Sequence, residues 1–324
     1  TRTVRVSAVA EELPSLGRHA VMGVPCNAPR KRAIVAGWLC EAQAVCKTSC
    51  MNATWPPEGV QPWDTLPDAE AAAVRGVFTD IDDTLTTEGA ITADARDALD
   101  ALRRIGMPVI AITGRPMGWS EPFARAWPVD AIVAENGAVA LMPEHGGLSI
   151  EYAQDEATRT GNTVRLQAAA QRVLREVPGA TLARDSAGRV TDIAIDHHEF
   201  AHLSHDDIAR VVAVMNAEGM NATVSSIHIN GWFGDHTKLT GADWMLRRLF
   251  GRALDDAAAA RWVYVGDSTN DQLMFGRFPL SVGVANLREF ADDLHTWPRY
   301  LTQGERGAGF AEVAQRLVAA HAAR

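Results

Sequence analysis

The sequence predicts an α/β protein in which a doubly wound parallel sheet carries a smaller, inserted α+β domain. From Val74 onward, short apolar runs alternate with helical patterns, as in a parallel sheet with helices on both faces. Between residues 157 and 230 the order becomes helix, strand, strand, helix, strand, strand, which indicates antiparallel hairpins. After Gly234 the alternation of strands and helices resumes. The middle region is therefore predicted to be an insertion in the parallel sheet.

Three apolar runs predict the strands before the insertion, at residues 74–79, 109–112 and 131–134. The run at 109–112 is uninterrupted, which is typical of a strand that is covered on both faces. Between the first two runs, Thr92 can begin a helix that Gly106 ends.

The inserted and following segments are predicted from their apolar periodicity. The insertion is predicted to hold helices from 164 to 177 and from Ser204 to Gly219, with strands at 180–183, 190–196, 222–226 and 228–233. The part after it is predicted to hold helices at 239–250 and 310–320, with strands at 262–265, 280–284 and 300–301.

These patterns divide the chain into four segments. They are an N-terminal extension (1–73), a first core part (74–156), the inserted cap (157–230) and a second core part (231–324). The first fifty residues carry a net charge of +4 and the remainder carries −13. Because composition breaks at Met51, we expect that residue to be a candidate native start. The fifty residues that precede it would then lie outside the functional fold.

The cysteines are confined to the extension, where they stand at Cys26, Cys40, Cys46 and Cys50. Their spacing lacks the close pairs of common zinc sites. An export signal also fits poorly, because Glu41 interrupts the apolar stretch that follows Arg30-Lys31-Arg32. The remaining residues contain no cysteine, which favours a reducing compartment and a cytoplasmic location.

Charge and hydropathy exclude two classes of partner. The net charge of −9 argues against nucleic acid, since phosphate backbones are bound by basic faces. No run of 18 apolar residues exists, which argues against a membrane span. We expect a small-molecule substrate and a monomer or small homo-oligomer.

Carboxylates follow two of the predicted buried strands. Asp80, Asp82 and Asp83 come after the first strand, and residues 267–271 follow a later one, while Thr113 ends the strand between them. Unpaired carboxylates in a core cost several kcal/mol each, so they must lie at the edge of the sheet. The carboxyl ends of parallel strands share one edge, where ligands bind. Asp80, Asp267 and Asp271 therefore predict a site for a hard cation, and we expect Mg²⁺.

Four motifs stand in order at these positions. They are Asp80-Ile81-Asp82-Asp83-Thr84, Ile112-Thr113-Gly114-Arg115-Pro116, Lys238 after the insertion, and Gly266-Asp267-Ser268-Thr269-Asn270-Asp271. Over about residues 74–320 the chain resembles the haloacid dehalogenase superfamily of phosphohydrolases, whose core is Rossmann-like. It is most similar to the type IIB branch, which includes Cof-like sugar phosphatases, sucrose-phosphatase, trehalose-phosphatase and mannosyl-3-phosphoglycerate phosphatase. Asp83 departs from the pattern, since many relatives have Gly there.

The resemblance implies a role for each motif. Asp80 is the expected nucleophile, forming an aspartyl phosphate, and Asp82 the expected general acid and base. The implied Mg²⁺ ligands are Asp80, the Asp82 carbonyl and Asp267, with Asp271 close behind.

The phosphate ligands implied in the same way are Thr113, Gly114, Lys238 and Asn270. In phosphoryl transfer, positioning and charge stabilisation supply most of the catalysis.

Cap residues are harder to assign from sequence. His228 and Asn230 lie in the strand that returns toward Lys238, and we expect them to face the substrate. The histidines at 197, 198 and 202 are more typical of surface or satisfied core groups than of a metal site. Arg184 and Arg189 flank a turn, where a second anionic group could bind, although solvated turn charges are commoner.

The resulting hypothesis is a Mg²⁺-dependent phosphatase that acts on a small phosphorylated metabolite, a sugar phosphate or a phosphoglycerate conjugate. A phosphomutase that uses the same aspartyl phosphate remains an alternative. A catalytically silent binding or regulatory protein on this fold is a second alternative, although a decayed site would be expected to have lost a motif residue. A dehalogenase is disfavoured because Asp82 is the acid–base group of the phosphatases.

Overall fold

The computed structural model of this protein describes residues 56–323. The four cysteines and Met51 therefore lie outside the described residues, and the hypotheses about them stay predictions. The strands are β1 (Gln61–Pro62), β2 (Gly76–Thr79), β3 (Thr86–Thr87), β4 (Ala90–Ile91), β5 (Val109–Ile112), β6 (Ala131–Ala134), β7 (Val139–Glu144), β8 (Gly147–Tyr152), β9 (Thr181–Leu182), β10 (Asp192–Asp196), β11 (Asn221–Val224), β12 (His228–Trp232), β13 (Trp262–Gly266), β14 (Leu280–Gly283) and β15 (Tyr300–Leu301).

The α-helices lie between these strands, as the sequence pattern predicts. They are α1 (Asp68–Ala73), α2 (Ala93–Arg104), α3 (Met117–Ala126), α4 (Glu156–Glu176), α5 (His205–Ala217), α6 (Lys238–Phe250), α7 (Asp256–Ala259), α8 (Gln272–Arg277) and α9 (Arg306–Ala322). Ser204 caps α5 by accepting from the N–H of Asp207. Thr92 precedes α2 as predicted, but its hydroxyl makes no capping hydrogen bond.

The main sheet has the strand order β1-β15-β14-β13-β2-β5-β6-β7-β8. All pairs from β1 to β6 are parallel. β2 lies between β13 and β5, so the three strands that precede the predicted site residues are neighbours. Their carboxyl ends meet at the same edge, which brings Asp80, Thr113 and Asp267 to one place.

Helices cover both faces of this sheet. Val77 and Phe78 are consecutive residues of β2, and the alternation of a strand sends them to opposite faces. Val77 packs in a core that includes apolar residues of α2 and α9. Phe78 packs in a second core with residues of α6 and α8. The doubly wound α/β core is confirmed.

The inserted α+β domain is also confirmed. Its four-stranded sheet has the order β11-β12-β10-β9, with antiparallel pairs throughout. Residues of α4 and α5 form an apolar core with this sheet, including Leu166, Val173, Val211 and Ile229. The cap elements run from Glu156 to Trp232, slightly beyond the expected bounds of 157–230.

Two features of the fold differ from the prediction. β7 and β8 form an antiparallel hairpin at one end of the sheet, in a region for which no strand was predicted. At the other end, β1 pairs with β15, and Trp63 is buried beside Tyr300. Residues 61–73 thus pack on the fold, with Trp63, Leu66 and Ala71 in the apolar core.

Candidate active site

The nucleophile candidate, Asp80, is the residue at which the chain leaves β2. Its backbone N–H donates to the carbonyl of Val265 in β13 (2.9 Å), which anchors the strand end. Its carboxylate Oδ1 accepts from the N–H of Ile81 at 2.8 Å. The residue is 3 % exposed, so its position is fixed by the backbone around it.

Lys238 lies directly beside Asp80. It is the first residue of α6, whose start is fixed by a capping box between Thr237 and Thr240. Its Nζ lies 3.0 Å from Asp80 Oδ2 and 2.8 Å from Asp271 Oδ1, and it donates to Asn270 Oδ1 at 3.2 Å. Burial lowers the pKa of this amine, but the negative charges of Asp271 and Asp80 raise it by more, so the pKa of Lys238 lies above its usual value. Lys238 is therefore a buried, charged ammonium.

Asp271 uses both of its carboxylate oxygens within the protein. Oδ1 accepts from Lys238 and from the hydroxyl of Tyr264, and Oδ2 accepts from the N–H groups of Asp267 and Ser268. Asp271 thus orients Lys238 and fixes the loop after β13. Tyr264 was not predicted as a site residue, because in sequence it is one more apolar position of a buried strand.

Asp267 leaves one oxygen without a partner. Its Oδ1 accepts from the hydroxyl of Thr84 at 3.0 Å, while Oδ2 is buried and has no hydrogen-bond partner among the described residues. Such a group costs about 1–3 kcal/mol unless something binds it. Burial, with Asp271 and Asp80 nearby, raises the pKa of Asp267 well above its usual value.

Asp80, Asp267 and Asp271 form what we call the acidic cluster. One oxygen of each lies within 4.8 Å of the others. Burial raises the pKa of Asp80 to about 7, since the attraction of Lys238 does not offset burial and the neighbouring carboxylates. Three buried carboxylates with one ammonium and an orphaned oxygen fit a hard divalent cation, which takes oxygen ligands.

Thr113 and Asn270 come after β5 and β13, the two strands that flank β2. Thr113 is fully buried at the end of β5, and its Oγ1 accepts from the N–H of Arg115 at 3.0 Å. The Oδ1 of Asn270 accepts a hydrogen bond from Lys238, which also pairs with Asp80 and Asp271. Gly114 lies at the contact with the cap, because its carbonyl accepts from Arg189 and from Asn230.

The Asp82 side chain is directed to an arginine. Its Oδ1 accepts from Arg115 Nε at 2.9 Å, and its carboxylate is not among the acidic cluster. The expected contribution of Asp82 to metal binding is through its carbonyl, so this geometry leaves the carboxylate for proton transfer. Arg115 is the main residue that the sequence analysis missed, although it stands inside the second motif.

Asp83 adopts the left-handed conformation, with φ of 54°. This region favours Gly and is tolerated by Asp. The carboxylate pairs with Arg306 Nε at 3.0 Å, and the carbonyl accepts from Asn286 at 3.0 Å. Asp83 therefore ties the turn to the second core part.

The two predicted cap residues are both occupied by neighbours. His228 Nε2 lies 2.9 Å from Glu199 Oε2. Asn230 donates to Asp192 and to the Gly114 carbonyl, and it is 1 % exposed. Asn230 thus joins the cap directly to the core. His228 reaches the core only indirectly, because it contacts Glu199, which in turn binds Arg115.

The other cap residues considered above also have partners. His197 Nε2 lies 2.9 Å from the Ser225 carbonyl, and burial lowers its pKa. No metal-ligating group of three among residues 56–323 includes these histidines. Arg184 lies over the ring of Phe200. Arg189 is buried against Asp185 and Asp192.

A polar contact region, which we call the seam, holds the cap on the core. It comprises Arg115, Glu135 and Arg189 with the groups that they bind. The carboxylate of Glu135, a core residue, accepts from the N–H of Val190, from the N–H and hydroxyl of Thr191, and from the N–H of Met117. Burial and Asp192 raise the pKa of Glu135 to about 7.

Comparison with known proteins relates the sequence and fold of this chain to one family. Residues 77–160 match the family of haloacid dehalogenase-like hydrolases. The chain has the haloacid dehalogenase fold. The resemblance inferred from the four motifs is thereby confirmed, while no curated protein sequence matches the chain.

Solved structures share this haloacid dehalogenase fold at low sequence identity. A Thermoplasma acidophilum protein superposes with a TM-score of 0.57 at 15 % identity, covering 75 % of this chain and 98 % of its own. The sucrose-phosphatase of Synechocystis sp. PCC6803, solved with sucrose and phosphate, gives 0.54 at 14 % identity, with 75 % and 98 % covered. The C-terminal domain of C. albicans trehalose-6-phosphate phosphatase gives 0.55 at 14 % identity, with 78 % and 95 % covered.

Among the helices of residues 56–323, none combines the length and apolar character needed to cross a bilayer.

Proposed function

We propose that this protein is a Mg²⁺-dependent phosphatase, a phosphoric monoester hydrolase that releases phosphate from a small phosphorylated metabolite. The observation that carries the proposal is the pairing of Lys238 with Asp80 beside the unpartnered oxygen of Asp267. The cation, when bound, supplies positive charge to the phosphoryl group and keeps the carboxylates ionised. Asp80, Asp267 and the Asp82 carbonyl would hold it, with Asp271 behind them.

The residues of the chain then divide the reaction into two displacements. A carboxylate oxygen of Asp80 attacks phosphorus, the bond from phosphorus to the leaving oxygen breaks, and Asp82 gives that oxygen its proton. Asp82 then takes a proton from water as the water attacks phosphorus. The bond from phosphorus to Asp80 breaks, and inorganic phosphate leaves. Lys238 and Thr113 are the proposed partners of the phosphoryl oxygens.

The cleft beside Asp267 suits a small, uncharged leaving group. It has a volume of about 650 Å³, and cap residues Ile208 and Val212 face Phe290 of the core across it. Among the described residues that line the cleft, Arg306 is the only arginine or lysine, and its Nε is already paired with Asp83. A second anionic group would find no free arginine or lysine there. A sugar phosphate is therefore favoured over a phosphoglycerate conjugate.

The named relatives agree with this substrate class. One of the structural neighbours is a sucrose-phosphatase solved with its sugar, and another is a trehalose-6-phosphate phosphatase domain. We also propose a cytoplasmic location, which the absence of cysteine after residue 50 supports and which suits a phosphorylated metabolite.

A phosphate-release screen with the purified full chain tests the proposal. The panel contains hexose and disaccharide phosphates, phosphoglycolate, mannosyl-3-phosphoglycerate and nucleotides, each with Mg²⁺ and with chelator. We expect Mg²⁺-dependent release from neutral sugar phosphates without any bisphosphate activator. Release that requires a bisphosphate would instead indicate a phosphomutase, and absence of release from the whole panel would contradict the proposal.

A further inference from the structure

Arg115 connects the acid–base candidate of the core to the cap. Its Nε donates to Asp82 Oδ1 at 2.9 Å. The two terminal nitrogens bind Glu199 through both carboxylate oxygens, at 2.8 and 3.3 Å, and one of them also binds Asp185 at 3.2 Å. Asp82 and Arg115 belong to the core, whereas Asp185 and Glu199 belong to the cap. A single guanidinium therefore links the two domains at the catalytic carboxylate.

The backbone and ring contacts of Arg115 fix where its guanidinium lies. Its N–H donates to Thr113 Oγ1, and its carbonyl accepts from the N–H of Glu135 at 3.0 Å. The guanidinium also lies 5.0 Å from the ring centroid of Trp119. Its side chain is 6 % exposed. A buried arginine must be fully paired, so the position of its head group depends on where its carboxylate partners lie.

Glu199 is itself held in place by the cap. Its N–H donates to Asp196 at 2.9 Å, and its Oε2 lies 2.9 Å from His228 Nε2. Burial would raise the pKa of Glu199, but hydrogen bonds from His228 and Arg115 lower it to about 2. A fixed cap carboxylate thus presents a full charge to Arg115.

We infer that Arg115 and Glu199 are positioning residues that place Asp82 for proton transfer only when the cap is docked. The inference rests on the proposed function. When the cap is docked, the two hydrogen bonds to Glu199 hold the planar guanidinium in the orientation in which Nε donates to Asp82. When it is not, Arg115 loses its contacts to Glu199 and Asp185 and gains water instead. The acid–base group is then no longer held in the orientation that proton transfer requires.

The other seam residues provide an internal contrast. Glu135 also holds the cap, through Thr191, and so does Arg189, through the Gly114 carbonyl, but neither contacts Asp82. Glu135 and Arg189 therefore only hold the cap on the core. Arg115, by contrast, also orients the acid, because it is bonded to Asp82.

The test uses the full chain and two phosphate esters with Mg²⁺. One is the best sugar phosphate from the screen, and the other is 4-nitrophenyl phosphate, whose leaving group departs without a proton. For Glu199→Gln we expect kcat/KM on the sugar phosphate to fall about 10- to 100-fold, the range lost when a catalytic proton donor is misplaced. On 4-nitrophenyl phosphate the change should stay within about threefold, since proton donation is not needed there.

Two further variants make the result specific. Glu218→Gln removes a cap carboxylate that pairs with Arg172 away from the core. In this variant kcat/KM should be unchanged on both esters. In an Arg115→Met background, Glu199→Gln should have no further effect, because it acts through Arg115. An equal loss on both esters, or a full additional loss in that background, would overturn the inference.

A crystal structure of Glu199→Gln provides a readout that does not depend on turnover. We expect the distance from Arg115 Nε to Asp82 Oδ1 to exceed hydrogen-bonding range. A distance that stays at 2.9 Å contradicts the coupling. Absence of any activity in the unmodified chain would count against the proposed function, and this structure would still decide the inference.

Discussion

The acidic cluster and the seam are both buried and ionic, yet their charges are balanced in opposite ways. In the seam, opposite charges are paired: Arg189 is bound by Asp185 and Asp192, although its buried Nε has no partner among the described residues, and Glu135 accepts four hydrogen-bond donors. In the acidic cluster, Lys238 pairs with Asp80 and Asp271, and one oxygen of Asp267 has no partner among the described residues.

This difference separates structural from chemical use of buried charge. A network of paired opposite charges holds two domains together and offers little to a ligand. An under-compensated cluster costs stability, and it persists where a ligand completes it. We therefore expect variants of Glu135 and Arg189 to lower stability first and variants of the acidic cluster to lower activity first.

The largest effect is expected for Asp80→Asn. The amide cannot form an aspartyl phosphate, so turnover of the sugar phosphate should fall at least about 1,000-fold. Removing one buried carboxylate should leave the melting temperature equal or higher, because Asp80 is destabilised by its neighbours. Phosphate-release assays and thermal unfolding measure the two quantities. Near-normal turnover in this variant would refute the assignment of Asp80.

Arg189→Met should have the second largest effect, on stability. It leaves the fully buried Asp192 carboxylate without its cation, which costs about 3–5 kcal/mol of unfolding free energy. Urea unfolding measures the loss. The matched control is Arg125→Met, which breaks an exposed pair with Glu121 and should cost less than about 1 kcal/mol. Equal losses in the two variants would show that the seam is not a tightly paired network.

Mg²⁺ should stabilise the unmodified chain against thermal unfolding. At about 100 times its dissociation constant, a ligand that binds only the folded state adds about 2.7 kcal/mol. Asp267→Asn should remove most of this gain, because its unpartnered oxygen is a proposed ligand. Differential scanning fluorimetry with increasing Mg²⁺ measures the shift. A shift of the same size in Asp267→Asn would place the cation elsewhere.

The smallest effect is expected from His236, in the segment that returns from the cap to Lys238. Burial lowers its pKa to about 4, and neither ring nitrogen has a hydrogen-bond partner among the described residues. A histidine whose folded pKa lies below the unfolded value of about 6.5 loses stability as the pH falls from that value toward 4.

At pH 5 this loss amounts to about 2 kcal/mol. The variant His236→Gln should show a flatter decline in unfolding free energy between pH 7 and about 5. Parallel urea titrations of both proteins at these pH values measure it. An identical decline in both would mean that His236 does not titrate in this range.

The sequence predicted the parts of this molecule that depend on local pattern. Buried runs at 109–112 and 131–134 identified neighbouring strands, and carboxylates at strand ends identified the edge that carries the site. The hairpin of β7 and β8 was missed because β8 has no buried residue and therefore no uninterrupted apolar run. β1 was missed because two residues with a proline give no strand signal.

The missed site residues depend on contacts between distant positions. Arg115 meets Glu199 across 84 positions of sequence, and Thr84 meets Asp267 across 183. Nothing in the local pattern around Glu199 marks it, since a charged residue after a strand is usually solvated. Asp83 shows the converse case, because its departure from the motif was visible in sequence and its left-handed backbone accounts for it.

Trapping the covalent intermediate tests the central claim most directly. The full chain is mixed with Mg²⁺ and a radiolabelled sugar phosphate, quenched with acid within one turnover, digested and analysed by mass spectrometry. The account predicts a phosphoryl group on the peptide that contains Asp80, released by hydroxylamine as an acyl phosphate is. Phosphate release with no label on that peptide, or with label on a different residue, would contradict it.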